Sequence, residues 1–431
     1  MDREYDIVVA GGGPAGIAAA LAAARMGMKT LVLEQFNCLG GIATAGGHGH
    51  ISKYDEHGTG RRIVGGIADE IAERLVKDGA GFRNSHGVWF EIEGLKYLLE
   101  RMAAECGLDV LYHSLCTDAL VEDGAVTGIV AYNKGGRTVI RARRVVDATG
   151  DGDVAFRAGC PWEMGRPSDG KCQPATLMFT IGGVDWPKVE AWRTSYAMTE
   201  VWQKAQANGD MEPFQTTIMG WWWTPTRPDQ VGVNFTHIIH VDATKAEDLT
   251  RATIEGRRQA YRTIDVYRKY VPGMEKCYMV STPNTVGIRE SRRIMGEYVI
   301  SEEDVKNQAS FPDSTGYGSF FIDVHHIDGP GMDPSVWRPP SGFKYQIPYR
   351  ALIPKGVENL LVCGRCLSCT HLALGSLRVM AQCMVTGEAA GTAAALSISE
   401  GMTPRRLAVP LLQRTLRANR GIVFEEDIVD R

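Results

Sequence analysis

The chain has 431 residues, 44% hydrophobic and 23% charged, which excludes the disordered, fibrous and collagen-like classes. A formal net charge of -4 at pH 7 gives no basic field for nucleic acid or an anionic membrane surface. Ten cysteines are too sparse for a disulfide scaffold and read as free thiols.

The opening Met1-Asp2-Arg3-Glu4-Tyr5 is charged, and the apolar run after it is interrupted by glycine. Neither a signal peptide nor a membrane span is expected, and a cytoplasmic location is the default. Tyr5 to Ala10 reads as a short buried strand, Pro14 to Gly27 as an alanine-rich helix and Lys29 to Leu33 as a second strand, a βαβ opening. Helix patterns recur at Ile67 to Lys77 and Ile92 to Cys106, and β-rich stretches at Leu108 to Tyr112, Ala119 to Tyr132 and Thr138 to Val146. Beyond about Gly159 the rhythm changes: most of the tryptophans lie between there and Pro340. A strand resumes at Asn359, followed by an Ala/Gly-rich helix from about Ser376 to Ser399. The acidic end Glu425-Glu426-Asp427 reads as a solvated tail.

A pyrophosphate requires backbone N–H donors, the positive end of a helix dipole, and glycines where a side chain would block approach. Gly11, Gly13 and Gly16, with Pro14 and Ala15 opening the helix, supply that pattern between a strand and a helix. Glu34, with Gln35 beside it, ends the next strand, where a carboxylate can accept both ribose hydroxyls. Its charge disfavours a 2′-phosphate, so the ligand is FAD or NAD rather than NADP.

These motifs, with Gly40-Gly41-Ile42-Ala43-Thr44, Ala148-Thr149-Gly150-Asp151-Gly152-Asp153, Gly287-Ile288-Arg289-Glu290-Ser291-Arg292-Arg293, Pro348-Tyr349-Arg350, Gly364-Arg365 and Gly375-Ser376-Leu377-Arg378, resemble the FAD-dependent oxidoreductases of the glutathione-reductase-like, fumarate-reductase-related flavoprotein superfamily. The resemblance covers nearly the whole chain. It implies an α/β fold: a Rossmann-like FAD-binding domain with a parallel sheet, formed by residues 1–160 and 341–431, and an inserted α+β substrate or cap domain, 161–340. It carries FAD contacts to Gly40, Gly41, Thr44, Thr149, Gly150, Asp151, Gly364 and Arg365. No second Gly-x-Gly-x-x-Gly occurs, which argues against a dedicated nicotinamide domain and leaves oxygen, a quinone or a protein partner as the electron acceptor. Covalent attachment of FAD near His48 is also known in such flavoproteins, but the local motif differs here and non-covalent binding is expected.

The flavin carries hydride, so the protein has to orient a substrate, move a proton and stabilise charge. His371 and Arg378 follow the Gly364-Arg365 turn, and Arg378 is a candidate to face the flavin N1 and C2 carbonyl. Arg289, in the block Arg289 to Arg293, is a candidate fork for an anionic substrate, against the reading of that block as an ion-paired face between domains. His325 and His326 follow Phe320 to Val324, a β-like segment that would direct only one of them inward. Cys363, Cys366 and Cys369 form C-x-x-C-x-x-C without a fourth cysteine at cluster spacing, so no metal is expected and a redox thiol pair remains an alternative. Trp221-Trp222-Trp223 is a candidate stacking wall. The reading is an FAD-dependent dehydrogenase or oxidase of a small polar substrate, a carboxylate or polyol. The alternatives are an ene-reductase or desaturase, and an electron-transfer or binding subunit without a substrate of its own.

Overall fold

The computed structural model describes residues 3–211, 220–329 and 331–430. The opening runs form β1 (Arg3–Ala10), α1 (Pro14–Arg25) and β2 (Thr30–Leu33), and two amphipathic helices follow, α2 (Gly66–Lys77) and α3 (Ile92–Glu105). Next come β3 (Asp109–Leu111), β4 (Leu115–Glu122), β5 (Ala125–Asn133) and β6 (Gly136–Asp147). The Ala119 to Tyr132 stretch is a hairpin: Asp123 and Gly124, both at positive φ, are the residue pair that a two-residue turn favours.

The second part contributes β7 (Phe179–Gly182), β8 (Gly220–Thr224), β9 (Arg227–Asn234), the long α4 (Ala246–Tyr270) and β10 (Tyr278–Ser281). These strands make an antiparallel sheet in the order β8-β9-β7-β10. Its core is aromatic, with Trp202 stacked on Phe235 and both packed near Tyr267. The chain then forms β11 (Ser314–Gly318), β12 (Tyr345–Pro348), β13 (Leu360–Val362), α5 (His371–Leu377) and α6 (Met380–Ser399). The single helix expected from Ser376 to Ser399 is therefore two, because Val379 between them is extended.

The main sheet runs β3-β2-β1-β6-β5-β4, parallel from β3 to β6 and antiparallel beyond, with β13 returning to pair in parallel with β6. Its register aligns the carboxyl ends: Ala10 lies beside Leu33 and Asp147, and Asp147 beside Val362. Gly11, Glu34, Ala148 and Cys363 thus leave the sheet at one edge, where open α/β sheets bind ligands. α6 packs along α1: a Cβ on Gly387 or Gly391 would stand 2.0 Å from the carbonyl oxygen of Ala15 or Ala19.

Two expectations change. Ile300, Val305, Tyr317, Ile322 and Val324, expected in the inserted unit, share one hydrophobic core with α1 and α6, because the apolar faces of β11 and its neighbours are buried against α6. The acidic end is exposed at Glu425 and Glu426 as expected, but it is also tied to the body of the molecule, with Glu425 paired to Arg61 and Lys344 and Asp427 to Arg417.

Candidate functional site

At the sheet edge the glycine loop is shaped by close backbone approaches. Gly11 donates its N–H to Leu33, and a Cβ on Gly16 would lie 1.8 Å from the Gly11 carbonyl oxygen. Gly40 donates to the Gly12 carbonyl at 2.7 Å, and a Cβ on Gly41 would meet the Gly13 Cα at 2.8 Å. Thr44 holds this second loop by donating to the Leu39 carbonyl at 2.6 Å. Gly364, at φ +79°, lets its turn pass Ala15, whose Cβ a side chain there would meet at 2.9 Å. Glu34 is buried, accepting from the N–H groups of Gly12 (2.8 Å) and Phe36 (2.9 Å), whereas Gln35 is exposed. Burial raises the Glu34 carboxyl and those two donors oppose the rise.

A dinucleotide fits this cradle on two observations. No side chain caps the N-terminus of α1, so the positive end of its dipole faces outward. At Gly13 the space a Cβ would occupy has no atom within 4 Å.

Thr149 turns inward, its N–H and hydroxyl both donating to Asp147 Oδ1 and its Oγ1 accepting from the Asp153 N–H. Asp147 is thus the buried post of this turn, a role the sequence reading missed. Gly150, at φ +81°, leaves room for Arg365. Arg365 donates to Asp151 Oδ1 at 2.8 Å and to Ser291 Oγ at 2.5 Å, and Ser291 donates to Asp151. Burial works against the Arg365 charge, and Asp151 more than offsets it.

Beyond the Gly40–Thr44 loop, six segments distant in sequence bring together a polar cluster: His48, Gln173, His237, Arg289, Asp323 with His325, and Arg378. Arg378, in the break between α5 and α6, donates to Asp323 Oδ2 at 3.1 Å and to Gln173 Oε1 at 3.4 Å. Its Nε and the Gln173 Nε2 are buried without a partner among the described residues. Arg289 donates to the Pro174 carbonyl at 2.7 Å; burial and the neighbouring Arg378 lower its pKa to about 9. His325 Nε2 lies 3.6 Å from Asp323 Oδ1. Burial, then Arg289, lowers His325 to about 4. Burial alone would raise Asp323, but His325, Arg378 and Arg289 hold it below the usual carboxylate range. His237 and His48 are each lowered to about 3, mainly by burial.

Of the sequence candidates, Arg289, His325 and Arg378 meet in this cluster. His371 lies at the edge, its Nδ1 2.9 Å from Glu290 Oε1, with Glu290 also bonded to Arg293. The Arg289 to Arg293 block therefore splits: Arg292 pairs with Asp153 and Arg293 with Glu290, while Arg289 makes no ion pair among the described residues. His326 faces its own loop, accepting the Asp328 N–H at Nδ1. The segment before it is no regular strand, only bridges Ile322–Trp337 and His325–Met332.

The tryptophans alternate, as strand geometry requires. Trp221 donates to Tyr267 in the second core, Trp222 meets His48 at 5.0 Å between ring centroids, and Trp223 donates to the Pro228 carbonyl. The candidate three-ring wall is therefore one ring at the cluster. Cys363, Cys366 and Cys369 are buried free thiols, all pushed up by burial, Cys369 to about 12. Such thiols are protonated at neutral pH, the opposite of a reactive thiolate.

Residues 6–416 match the family described as FAD dependent oxidoreductase. Digeranylgeranylglycerophospholipid reductase 2 of Methanothermobacter thermautotrophicus is 31% identical over 192 residues, covering 42% of this chain and 48% of that protein. The thiamine thiazole synthase of Methanococcus aeolicus is 32% identical over 165 residues, covering 36% of this chain and 59% of that one. The chain spans about half the length of the curated relatives it matches. A geranylgeranyl bacteriochlorophyll reductase-like protein of Thermoplasma acidophilum shares the fold with a TM-score of 0.50 at 15% identity, over 98% of this chain and 86% of that one. No helix among the described residues is long and apolar enough to cross a membrane.

Proposed function

The chain belongs to the FAD dependent oxidoreductase family, and from that premise we propose that it is a dehydrogenase or oxidase passing hydride between a small polar substrate, a carboxylate or polyol, and its FAD. The observation that carries this reading is the cluster of Arg289, Arg378, Asp323 and His325 beside the cofactor loops. When bound, FAD supplies the two-electron chemistry. Gly13 and the first turn of α1 would receive its pyrophosphate and Glu34 its adenosine ribose, with Asp151 and Arg365 as further residues that would hold it. His325, neutral and held beside Asp323, takes the substrate proton. Arg378 and Arg289 orient the substrate and stabilise developing negative charge, and His371 steadies Glu290 behind them.

A second reading, an ene-reductase, draws on the reductases among the matched relatives; there Arg289, protonated at neutral pH with its pKa lowered to about 9, would deliver the proton opposite the hydride. The polar lining of the cluster argues against an isoprenoid chain as the substrate. Anaerobic mixing separates the readings: bleaching of the bound flavin by hydroxy acids or polyols supports the first, and reoxidation of reduced flavin by enoates supports the second. A yellow holoprotein that no such compound reduces, reoxidises or perturbs contradicts both and leaves a subunit without a substrate.

A further inference from the structure

The unsatisfied groups of the cluster are all donors. Gln173 is 2% exposed, spends its Oε1 on Arg378 and leaves Nε2 without a partner. Arg378 likewise keeps Nε buried and unpartnered. Arg289 carries a buried charge with no carboxylate bonded to it among the described residues, only the Pro174 carbonyl. Burying a donor without an acceptor is costly, so the unpartnered Nε of Arg378, the unpartnered Nε2 of Gln173 and the Arg289 charge that no carboxylate meets call for a ligand that brings acceptors. A carboxylate, which accepts only, matches; a hydroxyl, which must also place a proton, matches less well.

Charge narrows the choice. Two guanidiniums stand against the single carboxylate of Asp323, which leaves one positive charge. The three imidazoles at the cluster, His48, His237 and His325, add none at neutral pH because burial keeps them neutral. Glu290 is already bound to Arg293. We propose, resting on the oxidoreductase reading above, that the substrate is a monocarboxylate whose carboxylate docks between Arg289, Arg378 and Gln173, with Gln173 a specificity-determining residue. A dicarboxylate would bring a second charge with no cation left to meet it, and a neutral polyol would leave the buried donors under-bonded.

The test is binding to the FAD-loaded protein, read as perturbation of the flavin spectrum and as thermal shift. The probes are straight-chain monocarboxylates from acetate to octanoate, their carboxamides, and succinate and glutarate. Monocarboxylates are expected to bind saturably, carboxamides on the order of 100-fold more weakly because a charge-assisted contact is lost, and the dicarboxylates on the order of 10-fold more weakly. Gln173→Leu should weaken the best acid about 10-fold while its carboxamide changes little. The proposal is overturned if no acid binds, if carboxamides or dicarboxylates bind as tightly as acids, or if Gln173→Leu leaves acid binding unchanged. The comparison of acid with carboxamide needs only the wild-type holoprotein. Flavin bleaching by a polyol in that same holoprotein would leave the oxidoreductase reading standing while this inference fell.

Discussion

His325 shows how the site sets a protonation state. Its imidazole is removed from water, and the adjacent Arg289 charge disfavours a second cation, so it is a neutral base at any pH above about 4 even with Asp323 alongside. Replacing it as His325→Gln should lower the rate of flavin reduction about 100-fold, the usual scale for losing a positioned proton carrier, with FAD retention unchanged; single-turnover anaerobic mixing reads this. Stability should respond as well. His48, His237 and His325 sit at about 3 to 4 when folded against an ordinary 6.5, so the unfolded chain takes up their protons first. Stability is fully present above pH 6.5 and falls as the pH drops towards 4, by up to about 1.4 kcal/mol per pH unit per group. Glu388 works in the opposite direction. It caps α2 by accepting the Ile67 N–H, and burial raises it from 4.5 to about 7. Its contribution is full below pH 4.5 and lost as the pH rises through 7, so Glu388→Gln should stabilise the protein at pH 8 by about 1–3 kcal/mol and remove the loss of stability that denaturant unfolding reads between about pH 4.5 and 7.

At the scale of elements, the βαβ opening and the strand returning at Leu360 were legible because periodicity and glycine placement are local properties of sequence. The register that aligns Ala10, Leu33, Asp147 and Val362 turns those local signals into one binding edge. The polar cluster was legible only in part. Arg289, His325 and Arg378 could be singled out by residue type, but Gln173 and His237 carry no local motif, and only the fold brings them alongside. The split of the last helix at Val379 was equally hidden, since nothing in an Ala/Gly-rich run marks a backbone turned extended so that Arg378 can reach Asp323. Two glycines of the same loop should behave differently. Gly13→Val places its Cβ in open space and should leave the apoprotein fold within about 1 kcal/mol while abolishing yellow colour after purification. Gly16→Ala places a methyl 1.8 Å from a carbonyl oxygen and should cost stability itself, by about 1–3 kcal/mol as overpacking does. Thermal melts of the two apoproteins separate cofactor exclusion from misfolding.

For the whole molecule, the cofactor edge and the polar cluster lie on the two sides of the Gly40–Gly47 loop. One face is built by the parallel sheet with α1 and α6, the other by β8, the Asp323–His325 segment and the α5–α6 break. FAD should therefore act as a folding ligand, adding about 2.7 kcal/mol to stability at a hundredfold excess over its dissociation constant, an increment that Gly13→Val should lose. The most direct measurement is a crystal structure of the yellow holoprotein. The account requires the pyrophosphate at Gly13 and the start of α1, the adenosine ribose at Glu34, and the flavin ring turned towards Arg289, Arg378 and His325 across a space that a small substrate fills. A flavin ring facing away from that cluster, or FAD bound at another edge of the sheet, would contradict it.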